Sequence, residues 1–306
     1  MPLKKVLPEF LKPGDEVMIV SPAFSIDSGK IDEAVEFLCQ WGLKVRVGRY
    51  AGSRFGPFAG TDHERLYDLQ EATSDPAIKA VFFSRGGYGL LRIIEKVDFS
   101  PLIKNPKWYV GFSDITVLHL WLSKLYNIVT IHGEMPLNYN NPEKTKETFA
   151  SLRNALWGNH DSLIWDGNVH RSSNVSGELT GGNLSLFYSL TGTKAEPDTD
   201  GKILFLEEVG EYYYHVDRML SSLKLAGKLD KLSALVIGGM SRIEHTSIPW
   251  MNSMEETIMN IAADYSYPVF FGFPAGHIND NRAFYIGRKA ILETSGSKCV
   301  LSYRED

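Results

Sequence analysis

Short apolar runs closed by turn residues alternate with stretches of helical spacing through the first half of the chain. Glu16-Val-Met-Ile-Val-Ser21 follows the turn pair Pro13-Gly14 and is closed by Pro22, which predicts a strand. Lys30–Trp41 carries Ile31, Ala34, Val35 and Leu38 on one face, the spacing of an amphipathic helix that Gly42 ends. Leu43–Val47 then alternates as a strand, and Thr61–Ala72 is predicted helical. Ala80-Val-Phe-Phe-Ser84 is an apolar strand that runs into a glycine-rich turn. Trp108–Phe112 is a further strand, and Ile115–Tyr126 a helix with Ile115, Leu118, Leu122 and Leu125 on its apolar face. This rhythm predicts a parallel sheet covered on both faces. Ligands of such sheets sit at the carboxyl ends of the strands, which singles out the loops Arg85–Gly89 and Ser113–Asp114.

From about Asn140 to Gly177 the pattern loosens. Thr145–Trp157 is helical, but Gly158–Val175 is polar, and it reads as the crossing between two domains. Residues 1–150, a linker over 151–176 and residues 177–306 are the division this implies. Beyond the crossing, Thr180-Gly-Gly-Asn183 precedes a helix at Leu184–Thr191, and Val216–Leu225 is a second helix. Ile203–Glu207, Ala234–Gly238, Pro268–Gly272 and Lys289–Glu293 read as strands. The 306-residue length itself favours about two domains.

Composition narrows the class. A net charge of −5 gives the chain no electrostatic reason to bind nucleic acid or an anionic membrane as its main task. Two cysteines, Cys39 and Cys299, make neither a disulfide scaffold nor a four-cysteine zinc site. The opening Met1–Glu9 lacks the apolar core of a signal peptide, and no run approaches the ~20 apolar residues of a membrane span. A cytoplasmic protein is the expectation.

Candidate chemistry begins with Gly111-Phe-Ser113-Asp-Ile, placed between a strand and a helix. A nucleophile elbow, Gly-x-Ser-x-Gly, occupies that context, although here Ile115 replaces the last glycine. The competing reading is that Ser113 merely caps the helix. Ser84-Arg-Gly-Gly-Tyr-Gly89 offers backbone amides that no side chain shields. The amides of Gly87 and Asp114 then become the candidate oxyanion hole. A phosphate cradle lacks its Gly-Lys-Ser/Thr ending here, and a plain tight turn remains open.

A serine nucleophile needs a base, and the base needs a group to orient it. Among eight histidines, His63, His160, His170 and His245 read as surface residues, His119 lies in a helix and His132 follows a strand. His277 stands in Gly272-Phe-Pro-Ala-Gly-His277-Ile-Asn-Asp-Asn281, a loop whose path glycine and proline set. Glu207 and Glu208 end an apolar strand and are the candidate carboxylates. Reading them with His215 and Asp217 as metal ligands finds no His-Glu-x-x-His or Cys/His pattern to support it.

Taken in order, these blocks resemble the LD-carboxypeptidase family, serine peptidases that include microcin C immunity-type enzymes. The resemblance covers Lys12-Pro-Gly-Asp through Val-Ser-Pro22, Ser84–Gly89, Gly111–Thr116, Gly177–Leu184, Leu204–Glu208, Val216–Leu220 and Gly276–Asn281. It implies a Ser–Glu–His triad at Ser113, Glu207 and His277, with Arg85 and Asn183 binding substrate and no metal or cofactor. It also implies a flavodoxin-like α/β domain followed by a smaller β-rich, swivelling barrel-like domain, with the site between them. Closure of that cleft would assemble the triad. The activity implied is release of the terminal D-Ala from a murein tetrapeptide by a homodimer, within cell-wall recycling. Two alternatives stand beside it: cleavage of a peptidyl- or aminoacyl-nucleotide, for which Trp165 is the aromatic that would stack on a base, and a non-catalytic peptide-binding protein. His215 stands where the family often has arginine.

Overall fold

The computed structural model describes residues 5–159, 162–171, 174–295 and 297–303. His160 and the first four residues of the N-terminal reading lie outside these. The first half builds as the alternation requires: β1 (Glu16–Val20), α1 (Ser28–Gln40), β2 (Lys44–Val47), α2 (Asp62–Ser74), β3 (Ile78–Phe83), β4 (Trp108–Gly111), α3 (Thr116–Leu125) and β5 (Thr130–His132). Asp27 caps α1 by accepting from the Gly29 amide, and Ile31, Ala34 and Leu38 form its buried face. A Thr61–Glu64 capping box starts α2. β1, β3 and β4 are buried almost throughout, as strands covered on both faces must be. The parallel order β5-β4-β3-β1-β2 is the flavodoxin-like one, with its switch point between β1 and β3.

The chain continues through α4 (Lys146–Trp157), β6 (Leu163–Asp166), β7 (Val169–His170), β8 (Val175–Asn183), α5 (Leu184–Ser189) and β9 (Ile203–Val209). α6 (Tyr213–Leu225), β10 (Ala234–Ser241), α7 (Met254–Ala262), β11 (Val269–Phe270), β12 (Phe284–Ile286), β13 (Lys289–Ser295) and β14 (Lys298–Tyr303) complete it. Among the described residues, the second sheet has eight strands in the order β6-β14-β13-β8-β9-β10-β11-β7. Its middle strands β8 to β11 are parallel. The stretch read as a polar crossing supplies both edges of this sheet, β6 and β7. These two strands are four and two residues long, too short for periodicity to stand out against exposed polar neighbours.

One strand departs from the two-domain division. β12, late in the chain, does not join the second sheet but adds antiparallel to β5 at the edge of the first, pairing Phe284 with His132. The largest apolar core is likewise shared, since it runs from Val20, Phe83 and Leu118 to Leu204, Leu220 and Leu235. Ser113 leaves the first sheet and Glu207 the second, so this seam is where the candidate residues meet. Among the described residues, no helix is long and apolar enough to cross a membrane.

Candidate active site

β4 ends at Gly111, and Ser113 then turns with φ +63°, in the left-handed region that a serine rarely adopts. Such a residue costs about 1–2 kcal/mol, and strain of this kind collects at functional sites. A single 3-10 turn over Ser113–Ile115 leads into α3. The capping reading is set aside by the cap positions: Phe112 and Ile115 flank the two helical pieces, and neither is capped by a side chain. Ser113 Oγ lies instead 3.1 Å from His277 Nε2. Gly86, in the turn after β3, is the residue pressed against the serine. A Cβ there would sit 2.7 Å from Ser113 Cβ, 2.8 Å from its Oγ and 3.3 Å from the Asp114 nitrogen. Glycine at 86 thus keeps open the space beside the serine oxygen and the Asp114 amide. Gly87 follows it with φ +107° and is exposed.

The carboxylate comes from the opposite sheet. Glu207, fully buried on β9, accepts from His277 Nδ1 at 2.8 Å and from the His277 amide at 3.2 Å, both on Oε2. An Nδ1–H donated to a carboxylate leaves the Nε2 lone pair facing the serine hydroxyl, the tautomer a general base requires. The approach depends on Gly276, whose φ is +109° and where a Cβ would lie 2.7 Å from Glu207 Oε2. Ser241 Oγ donates to the His277 carbonyl at 3.0 Å. The three side chains therefore already stand in hydrogen-bond contact, with β12 tying the two sheets together, and no cleft closure is needed to bring them together.

Neighbouring Glu208 has a different task, because adjacent strand residues face opposite ways. Its carboxylate accepts from Asn183 Nδ2 at 2.9 Å, from the Val209 amide at 2.8 Å and from the Ser185 amide at 2.8 Å at the start of α5. Burial raises its pKa. Asn183, expected to bind substrate, is itself buried; its Oδ1 caps α5 at the Leu186 amide while its Nδ2 serves Glu208. Arg85 donates from Nη1 to the Ser25 carbonyl at 3.0 Å, and its buried Nε has no partner among the described residues. Burial lowers its pKa.

Asp114 does more than offer an amide. Its fully buried carboxyl accepts from the Leu90 amide at 2.9 Å, which ties the elbow to the glycine turn. Burial pushes its pKa up to about 7. Two neutral imidazoles lie beneath the elbow. His119 donates from Nε2 to the Gly111 carbonyl at 2.8 Å, and burial pulls its pKa down to about 4. Burial, with His119 and His277 nearby, holds His132 well below its ordinary value. His215 pairs with Glu211 at 2.5 Å. Among the described residues no three His, Cys, Asp or Glu side chains converge as a metal site. Trp165 is not free to stack on a base: it faces inward from β6, packs edge-on against Phe273 and donates to the Phe271 carbonyl.

Comparison with known proteins gives the family. The model of the LD-carboxypeptidase N-terminal domain matches residues 17–133, and that of the LD-carboxypeptidase C-terminal domain matches residues 176–292. The chain belongs to the LD-carboxypeptidase family. Within this family, the probable murein peptide carboxypeptidase of Bacillus subtilis is 35% identical over 96% of this chain and 93% of its own. The crystal structure of muramoyltetrapeptide carboxypeptidase from Oxalobacter formigenes superposes with a TM-score of 0.85 at 30% identity, over 95% of this chain and all of that one. Microcin C7 self immunity protein MccF, bound to aspartyl sulfamoyl adenosine, superposes with a TM-score of 0.88 over 98% of this chain and 99% of its own. Its 22% identity makes that a likeness of fold.

Proposed function

We propose that the protein is a serine carboxypeptidase that cleaves an L,D peptide bond and releases the terminal D-Ala of a murein tetrapeptide. The observation that carries this reading is the contact chain Ser113–His277–Glu207, at 3.1 and 2.8 Å, in a chain of the LD-carboxypeptidase family. Ser113 Oγ attacks the carbonyl carbon while His277 Nε2 takes its proton, and Glu207 stabilises the imidazolium that forms. The amides of Gly87 and Asp114 receive the oxyanion in the space that Gly86 leaves open. Such donors are worth about 3 kcal/mol each. The proton then passes to the nitrogen of D-Ala as the C–N bond breaks, leaving the acyl group on Oγ. Water, losing its proton to the same Nε2, releases the shortened peptide. Arg85, beside the glycine turn, meets the substrate carboxylate with its guanidinium. A homodimer in the cytoplasm, acting on recycled murein fragments, completes the proposal.

Mass spectrometry of the protein incubated with L-Ala-γ-D-Glu-meso-diaminopimelate-D-Ala tests it, with and without EDTA. Loss of one alanine in both samples is the expected result. An intact tetrapeptide overturns the proposed substrate, and loss only without EDTA overturns the metal-free mechanism. The likeness to MccF fits the nucleotide-conjugate reading, but Trp165, the aromatic expected to stack on a base, is engaged in the core.

A further inference from the structure

If Ser113, His277 and Glu207 react together, whatever holds the His277 loop governs the reaction, and this inference rests on that reading. The loop leaves the second sheet after β11 and returns as β12 in the first. Between them it has no regular structure, and side chains hold it. The Gly276 amide donates to Asn281 Oδ1 at 2.9 Å, closing the loop on itself. That bond fixes which way the Asn281 amide faces, and its Nδ2 donates across the seam to Glu134 Oε2 at 3.1 Å.

Glu134 follows β5 and is fully buried. Its two oxygens divide the work. Oε1 accepts locally, from the Met135 amide at 3.0 Å and Asn138 Nδ2 at 2.9 Å. Oε2 faces the loop, meeting Asn281 and, at 2.7 Å, Lys144 Nζ. Lys144 Nζ in turn donates to the Ile278 carbonyl at 2.8 Å, next to His277. Thr148, on α4, adds a hydroxyl that accepts from the Asn281 amide at 2.9 Å and donates to the Asn279 carbonyl at 3.2 Å. A buried carboxylate is costly unless its oxygens are filled, and here every partner on Oε2 bears on the histidine loop.

We propose that Glu134 is a positioning residue: through Asn281 and Lys144 it sets the His277 loop against the sheet that carries Ser113. The donor–acceptor pattern makes this directional. Glu134→Gln keeps the acceptor for Met135 and Asn138 but turns an NH2 group onto two donors, Asn281 Nδ2 and Lys144 Nζ. Adding Asn281→Asp restores the match at position 281, while Lys144 Nζ still meets the NH2 group. A carboxylate at position 281 accepts both from the Gly276 amide and from the new NH2 group at position 134, and it returns a negative charge near Lys144.

The test is the rate at which a fluorophosphonate labels Ser113, which reads the serine and histidine without depending on the peptide cleaved. E134Q is expected to slow labelling on the order of 100-fold, the effect of a misplacement near 1 Å. The kcat for the tetrapeptide should fall in parallel, with KM unchanged. The E134Q/N281D pair should recover at least about tenfold of that loss, a rescue that a merely stabilising carboxylate would not produce. E134Q labelled within about twofold of wild type overturns the proposal, as does a double variant no faster than E134Q. If E134Q does not fold, Lys144→Met removes the cation from the same link, and labelling within about twofold of wild type there overturns the proposal too. Unlabelled wild-type protein would overturn the reacting chain itself, an outcome distinct from a labelled wild type with an equally labelled E134Q.

Discussion

Ser113 and His277 are 164 residues apart in sequence and 3.1 Å apart at Oγ and Nε2, and they are held in opposite ways. The constraints on Ser113 are mainly local backbone ones: a strand ending at Gly111, a left-handed φ, a 3-10 turn and a helix directly after it. The constraints on His277 are long-range and lie mostly in side chains, from Glu207 on one sheet to Glu134, Lys144 and Thr148 beside the other. A strained elbow tolerates changes around it as long as strand and helix persist. A loop without secondary structure keeps its place only while each hydrogen-bond partner remains. The nucleophile side should therefore be sensitive at few positions, and the histidine side at many.

The largest expected effect is at the serine itself. Ser113→Ala should lower turnover on the order of 10⁶-fold while the melting transition stays cooperative. Full activity by mass spectrometry would remove Ser113 from the mechanism, and with it the comparison. Glu207→Gln comes next. Turnover should fall about 10⁴-fold, because Gln no longer holds the Nδ1–H tautomer or offsets the imidazolium charge. A loss of less than about tenfold, read as kcat, would show that the other contacts of the loop suffice to orient His277.

Ser113 and His277 were legible in the sequence as candidates, and the reason is local. Ser113 stands between an apolar strand and an amphipathic helix, and His277 in a Gly/Pro loop after an apolar run. The strand's own residues left Glu207 and Glu208 both open, and only the resemblance chose Glu207; in the fold Glu207 meets the His277 loop, while Glu208 serves Asn183 and the start of α5. The parallel sheet followed from alternation and its flavodoxin-like kind from the resemblance, but β12 followed from neither, because three residues carry no period. Trp165 shows the same limit: on a four-residue strand with Leu163 and Trp165 inward, a core aromatic is indistinguishable from a loop one. Glu134 and Asn281, 147 residues apart, share no local signal at all.

A smaller effect sharpens the elbow side. Gly86→Ala would put a methyl 2.8 Å from Ser113 Oγ, in the space assigned to the oxyanion. Activity should fall about 10²–10³-fold, the usual result of losing one oxyanion donor. The same substitution should leave the Glu207–His277 contact intact, so the histidine resonance of that pair is expected unchanged by NMR. A changed resonance would mean that the two sides are not separable.

The smallest effect concerns acid, and it too falls on the elbow side. His119, bonded to the carbonyl of Gly111, has a folded pKa of about 4 against an ordinary 6.5. As pH falls the unfolded chain takes up that proton first, so the stabilisation is complete above about 6.5 and is lost progressively toward pH 4. Asp114 acts in the opposite sense. Its folded pKa of about 7 lies above the ordinary 3.8, so its contribution is present in acid and is lost as pH rises through 7. The two partly cancel in the wild type, which is why single variants are needed to see either. His119→Gln, which can still donate to Gly111, should remove the acid-sensitive half. Compared with wild type by urea unfolding at pH 7 and pH 5, its relative stability should rise by about 2 kcal/mol at the lower pH. Asp114→Asn should shift the balance the other way, gaining relative stability at pH 7. An identical pH dependence in all three proteins would mean that neither buried group keeps its proton state in the fold, and that the polar anchoring of the elbow is as open to water as that of the loop.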